Sequence, residues 1–172
     1  YLNDTTAIAG QDDIVFTRSE NDSILREQVE AEEQFRLSVI EQNSIGKNLH
    51  ELHFFTPVQG IITNSFNPLE NHYGVDLVAG PNEVVKATLD GTVTLAAWTL
   101  ETGYVVQIQH GNNLMSVYKH NAELFKSEGQ IVNAGDAIAV IGNSGELTTG
   151  PHLHFELWHN GVPLDPVKYI VF

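Results

Sequence analysis

The stretch Gly150-Pro151-His152-Leu153-His154-Phe155-Glu156 places side chains that can do chemistry at alternate positions. Read at the strand period of two, His152, His154 and Glu156 share one face, and Leu153, Phe155 and Leu157 share the other. A second segment, His72-Tyr73-Gly74-Val75-Asp76, puts His72 and Asp76 on one face, with Gly74 between them leaving room above the backbone. Three imidazoles and one carboxylate suffice for a zinc site built from His and Asp. With no thiolate on offer the set suits Zn²⁺ better than Fe, Ni or Mn. Three protein ligands leave a fourth position for water, the arrangement of a catalytic site, where zinc acidifies that water and polarises a carbonyl. Spacing alone leaves open which of His152 and His154 holds the metal.

These residues need strands to carry them. From Pro57 onward, β-rich runs alternate with turn signals at residues 58–66, 74–78, 83–88, 92–98, 104–110, 114–120, 130–132, 137–141 and 152–158. Asp90-Gly91, Gly111-Asn112-Asn113 and Asn160-Gly161 read as hairpin-type punctuation. That spacing predicts an all-β sandwich or barrel over residues 51–172. Residues 1–50 form a separate N-terminal segment with one helix over about 17–43 and a connector. Thr17-Arg18-Ser19-Glu20 fits a capping-box start, and no Gly or Pro interrupts until Gly46. The helix has a broken apolar stripe, too irregular for a coiled-coil seam. It reads as a helix lying on the domain or bridging to upstream sequence; the sharper alternative is the end of a stalk that self-associates.

The chain has 172 residues, 42% hydrophobic, with a net charge of −14 and no cysteine. Disulfides and thiolate zinc sites are therefore excluded. The acidic surface repels phosphate backbones and anionic headgroups, so no nucleic-acid partner is expected. No apolar run is long enough to span a bilayer. The chain starts at Tyr1 rather than Met, which reads as a processed or excised form; any export signal or membrane anchor is expected upstream.

Over residues 57–170 the sequence resembles the lysostaphin/LytM-type zinc endopeptidases that cut peptidoglycan peptides. The resemblance rests on His72-Tyr73-Gly74-Val75-Asp76, on Tyr118-Lys119-His120, and on Gly142-Asn143-Ser144-Gly145 through the Gly150–Glu156 stretch, in that order and spacing. It implies a mainly β fold, an antiparallel sandwich/barrel-sandwich hybrid. It also implies zinc ligands at His72, Asp76 and His154. His120 and His152 become the free pair beside the zinc-activated water, one as general base and the other hydrogen-bonding the oxyanion. Tyr118 is expected either to orient substrate or to pack in the core. Glu156 is expected to orient a ligand imidazole or to pair with a lysine or a backbone amide. Ser65-Phe66-Asn67-Pro68 stands where family members usually carry Phe-Gly followed by Arg, which puts one groove wall in question.

The resemblance implies a murein endopeptidase of the bacterial cell envelope, periplasmic or extracellular, tethered through upstream sequence. Stem peptides and cross-bridges are its expected partners. The competing reading is a non-catalytic regulator that activates a separate wall amidase; such regulators have lost zinc ligands. A lipoyl- or biotinyl-type carrier fits poorly, because the only methionine, Met115, has no lysine beside it at a hairpin tip.

Overall fold

Alternating side chains and short turns build an antiparallel β protein. In the computed structural model, residues 49, 51–146, 148 and 150–172 are described. Among them, eleven strands follow in order: β1 (Ile61–Asn64), β2 (Gly74–Val78), β3 (Val84–Lys86), β4 (Gly91–Thr99), β5 (Gly103–His110), β6 (Leu114–Asn121), β7 (Glu123–Leu124), β8 (Ile131–Val132), β9 (Ala137–Val140), β10 (Leu153–His159) and β11 (Val162–Leu164). A large sheet runs β1-β2-β10-β6-β5-β4-β8, with β11 added to the end of β10; β3, β9 and β7 form a smaller one. Every pairing is antiparallel. The expected β class is therefore observed. The helix expected over residues 17–43, and the self-association expected through it, lie outside the described residues.

The period-two reading of β10 holds along its length. Leu153, Phe155 and Leu157 are fully buried, as are Val75 and Leu77 on the neighbouring β2. Removing each such side chain from water is worth about 1.5–3 kcal/mol, which fixes the register of both strands. The opposite faces are thereby committed to the cleft. No helix among the described residues is long and apolar enough to cross a membrane.

Two of the three turn signals join paired strands. Asn112 and Asn113 have φ of 54° and 53° between β5 and β6, and Asn160 and Gly161 have φ of 50° and 76° between β10 and β11. Asp90-Gly91 is different: it carries the chain from β3 in the small sheet to β4 in the large one, so it is not a hairpin. Two short strands escape the sequence signals. β7 has two residues, too few to alternate, and β11 contains Pro163, tolerated because β11 pairs on one side only.

Candidate metal centre

The central strands set a row of side chains across the sheet. His154 on β10 faces Asp76 on β2 and Lys119 on β6 as direct cross-strand partners. Glu156, two residues on, faces Gly74 and Val117. Gly74 is glycine for a steric reason: a Cβ there would lie 2.3 Å from the Phe155 carbonyl oxygen and 2.9 Å from Glu156 Cγ. His72 enters from the loop before β2. The Asn67 and His72 backbones bond each other in both directions around a 3₁₀ turn at Pro68–Glu70. The segment that departs from the family pattern thus closes tightly, and the Ser65 carbonyl accepts His72 Nδ1–H at 2.8 Å.

These elements bring His72, Asp76 and His154 together, with one potential ligand atom of each within 4.8 Å of the others. His72 Nε2 lies 3.2 Å and His154 Nδ1 2.7 Å from the same atom, Asp76 Oδ1. If the other nitrogen of each ring already donates its N–H elsewhere, the nitrogens facing Asp76 Oδ1 need a further proton or a cation between them. The second nitrogen of each ring is already committed, His72 Nδ1 to Ser65 and His154 Nε2 to Glu156 Oε1 at 2.9 Å. Ligand atoms of a zinc ion at bonds of about 2.0–2.1 Å stand about 3.3 Å apart, and the distances to Asp76 Oδ1, 3.2 and 2.7 Å, lie on the short side of that value within a set that spans no more than 4.8 Å. The donor set therefore fits a small divalent cation.

The electrostatics agree. Burial alone would raise the Asp76 carboxyl, but hydrogen bonds and charge from His154, then His72, outweigh it and hold the group well below the usual carboxylate range. Burial alone would lower His154; hydrogen bonds to Asp76 and Glu156 reverse this and raise it. Burial would likewise raise Glu156, yet the His154 hydrogen bond and the Lys119 charge bring it to about 2. Glu156 is almost completely buried and fully used: Oε1 accepts from His154 and Lys119 Nζ, and Oε2 accepts Trp158 Nε1–H at 2.7 Å. Glu156 thus bonds the His154 ring and pairs with Lys119 at once.

His120 and His152 sit beside this trio. Their ring centroids are 4.8 Å apart, and His152 Nε2 lies 3.8 Å from Asp76 Oδ1. His152 Nδ1–H donates to the Gly150 carbonyl at 2.7 Å and His120 Nδ1–H to the Ser144 carbonyl at 2.9 Å. Nε2 of each is then the nitrogen left for the cleft. Burial pushes His120 below its ordinary value, only partly offset by the Ser144 carbonyl. All five side chains line one cavity of about 410 Å³. A neighbouring groove of about 640 Å³ over the β4–β5–β6–β10 face shares Thr102, Lys119 and Glu156 with it and adds Leu95, Met115 and Trp158.

Tyr118 does not join the site. Strict alternation would put it on the His120 face, but His120 has φ of 64°, which turns its ring out of the alternation and into the cleft. Such a conformation in a non-glycine residue costs about 1–3 kcal/mol and clusters at functional sites. Tyr118 itself is fully buried, receives the Thr88 N–H at 3.0 Å, and bonds Ser116 Oγ at 3.0 Å. His110 is likewise a core residue, held by the Asp90 carbonyl at 2.8 Å and by Ser116 Oγ at 2.7 Å. The partners that sequence reasoning missed are the Ser65, Ser144 and Gly150 carbonyls, which carry no residue signal, and Trp158, which continues the face of His154 and Glu156.

Comparison with known proteins identifies the family. The model of the family described as Peptidase family M23 matches residues 70–166. The DD-carboxypeptidase/endopeptidase Mpg of Neisseria meningitidis serogroup B is 36% identical over 97 residues, covering 56% of this chain and 22% of that protein. The murein hydrolase activator NlpD of Escherichia coli is 32% identical over 116 residues, covering 66% of this chain and 30% of that protein. A zinc-containing peptidase from Vibrio cholerae superposes with a TM-score of 0.63 at 31% identity, covering 71% of this chain and 41% of that one. The chain thus spans less than a third of the length of either curated relative.

Proposed function

The chain belongs to peptidase family M23, and from that premise we propose that it is a zinc-dependent endopeptidase that hydrolyses peptide cross-links of bacterial peptidoglycan in the cell envelope. The observation that carries this reading is the convergence of His72 Nε2 and His154 Nδ1 on Asp76 Oδ1, with two further imidazoles beside them.

In this reading His72, Asp76 and His154 hold the ion. When bound, zinc acidifies a water and polarises the scissile carbonyl. The chain's own residues do the rest. One of His120 and His152 accepts the proton of the attacking water at Nε2; the other, protonated there, donates to the oxyanion. Burial favours the neutral form of His120 and so favours it as the acceptor. Glu156 keeps His154 Nε2 protonated, which leaves Nδ1 as the ligating atom. The accepted proton passes to the departing amine, and the products are a free amine and a carboxylate.

A second reading has its own support: a relative 32% identical is named as an activator of murein hydrolases. In that reading the chain binds a separate wall hydrolase. Digestion of purified sacculi separates the two, with wild type and His154→Ala compared and bound metal assayed on both. The enzyme reading expects about one zinc per wild-type chain and soluble muropeptides, and neither from the variant. Wild-type protein that releases nothing alone, but speeds digestion by an added amidase, would favour the activator.

A further inference from the structure

Ser144 lies between β9 and β10, in the Gly142-Asn143-Ser144-Gly145 string, and no ion-binding role falls to it. Its hydroxyl accepts Tyr104 N–H at 2.9 Å and donates to the Asn121 carbonyl at 2.6 Å. Tyr104 and Asn121 are cross-strand partners on β5 and β6, so one hydroxyl ties the ends of two strands to the loop. Two glycines make the close approach possible. Gly103 has φ of 63°, and a Cβ there would stand 1.9 Å from Ser144 Oγ. Gly145 has φ of 93°, and a Cβ there would stand 2.5 Å from the Gly103 amide nitrogen. The Ser144 carbonyl, aimed by this docking, accepts His120 Nδ1–H at 2.9 Å.

We infer that Ser144 is a positioning residue for His120: its hydroxyl docks the loop against β5 and β6, and the docked carbonyl holds His120 in the Nδ1–H tautomer. A neutral imidazole exchanges between two tautomers, and the hydrogen bond made by one nitrogen decides which the other presents. Only the Nδ1–H form leaves Nε2 with a lone pair for the cleft. His120 also has its backbone in the left-handed region, which a non-glycine residue keeps only where its surroundings hold it there. The Gly103–Ser144–Gly145 contact supplies that restraint from outside the strand. The benefit to catalysis rests on His120 acting as proposed above; the tautomer itself does not.

The test reads the ring directly. In ¹⁵N-histidine-labelled wild type without metal, two-dimensional NMR is expected to show His120 with a protonated Nδ1 and a bare Nε2. A wild-type ring protonated at Nε2 instead overturns the inference without any variant. In Ser144→Ala the single-tautomer signature is expected to give way to a mixture. The same variant should lower kcat roughly 10- to 100-fold, with KM changed by less than about 2-fold and zinc content unchanged. A folded Ser144→Ala protein that keeps the wild-type His120 signature also overturns it. Gly103→Ala keeps the hydroxyl but blocks its seat, and is expected to shift the His120 signature in the same direction. The two readings fail differently. Wild type with the expected tautomer but no hydrolysis sinks the peptidase and leaves Ser144 its role. Wild type that hydrolyses with the other tautomer does the reverse.

Discussion

His154 is held between two carboxylates, Asp76 at Nδ1 and Glu156 at Nε2, and this double hold sets the chemistry of the centre. Removing the outer charge while keeping its shape tests it. Glu156→Gln is expected to weaken metal binding by roughly 10- to 100-fold in competition with a chelator, since outer partners of ligand histidines carry about that much. Unchanged affinity would mean that Asp76 alone orients the ring. His120 tests the division of labour from the other side. His120→Ala should lower kcat by roughly 10²- to 10⁴-fold, the usual worth of a general acid or base, while metal content stays at the wild-type level. Loss of metal from that variant would move His120 into the ligand set.

At the level of the element, the site depends on β2 lying close against β10. Gly74 permits this, because any side chain there would meet the Phe155 carbonyl and Glu156 Cγ. Gly74→Ala is expected to cost about 1–3 kcal/mol of stability, as overpacking usually does, read as a lower urea midpoint. The same change should weaken metal binding, since β2 carries Asp76 and β10 carries His154. An unchanged midpoint would show that the strands separate without cost. The glycine of His72-x-Gly-x-Asp76 thus reads as space for the carboxylate behind His154, more than as freedom for the turn.

For the whole molecule, two measurements probe the coupling of site and fold. Zinc at 100 times its dissociation constant should stabilise the wild type by about 2.7 kcal/mol. EDTA should reverse the rise in Tm, and His154→Ala should show none. The second measurement concerns pH. Burial lowers His110 from its ordinary value of 6.5, outweighing its bond to Asp90. Its contribution is fully present above about pH 6.5, where folded and unfolded chains both carry it neutral. As pH falls below that value the unfolded chain takes up the proton first, and stability declines until the folded-state value is reached. His110→Gln should therefore flatten the decline below pH 6.5 relative to wild type; an unchanged slope would assign it to other groups. Leu49, almost fully buried, also bears on the expected boundary near residue 50. A fragment begun at Glu51 is expected to be less stable than one begun at Leu49 by about 2–5 kcal/mol, the range for losing a core leucine.

Residue type and spacing were enough to determine the β class, the buried faces of β2 and β10, and four of the side chains that meet in the cleft, His72, Asp76, His152 and His154; His120 is expected there only through the family resemblance. Burial of Val75, Leu77, Leu153 and Phe155 leaves their alternate neighbours no other side to face. Strand pairing decided what local pattern could not reach. It set His154 between Asp76 and Lys119 and gave Glu156 its lysine, while the loops brought the Ser65, Ser144 and Gly150 carbonyls to the histidine rings. It also sent Tyr118 into the core opposite Phe155, and the left-handed backbone at His120 breaks the alternation that would have taken His120 there with it. Side-chain alternation is a local property that a sequence displays. The tautomer and aim of an imidazole depend on where loop carbonyls and facing strands place their acceptors, near in the chain for His72 and His152 and far for His120 and His154, so only the folded molecule fixes them.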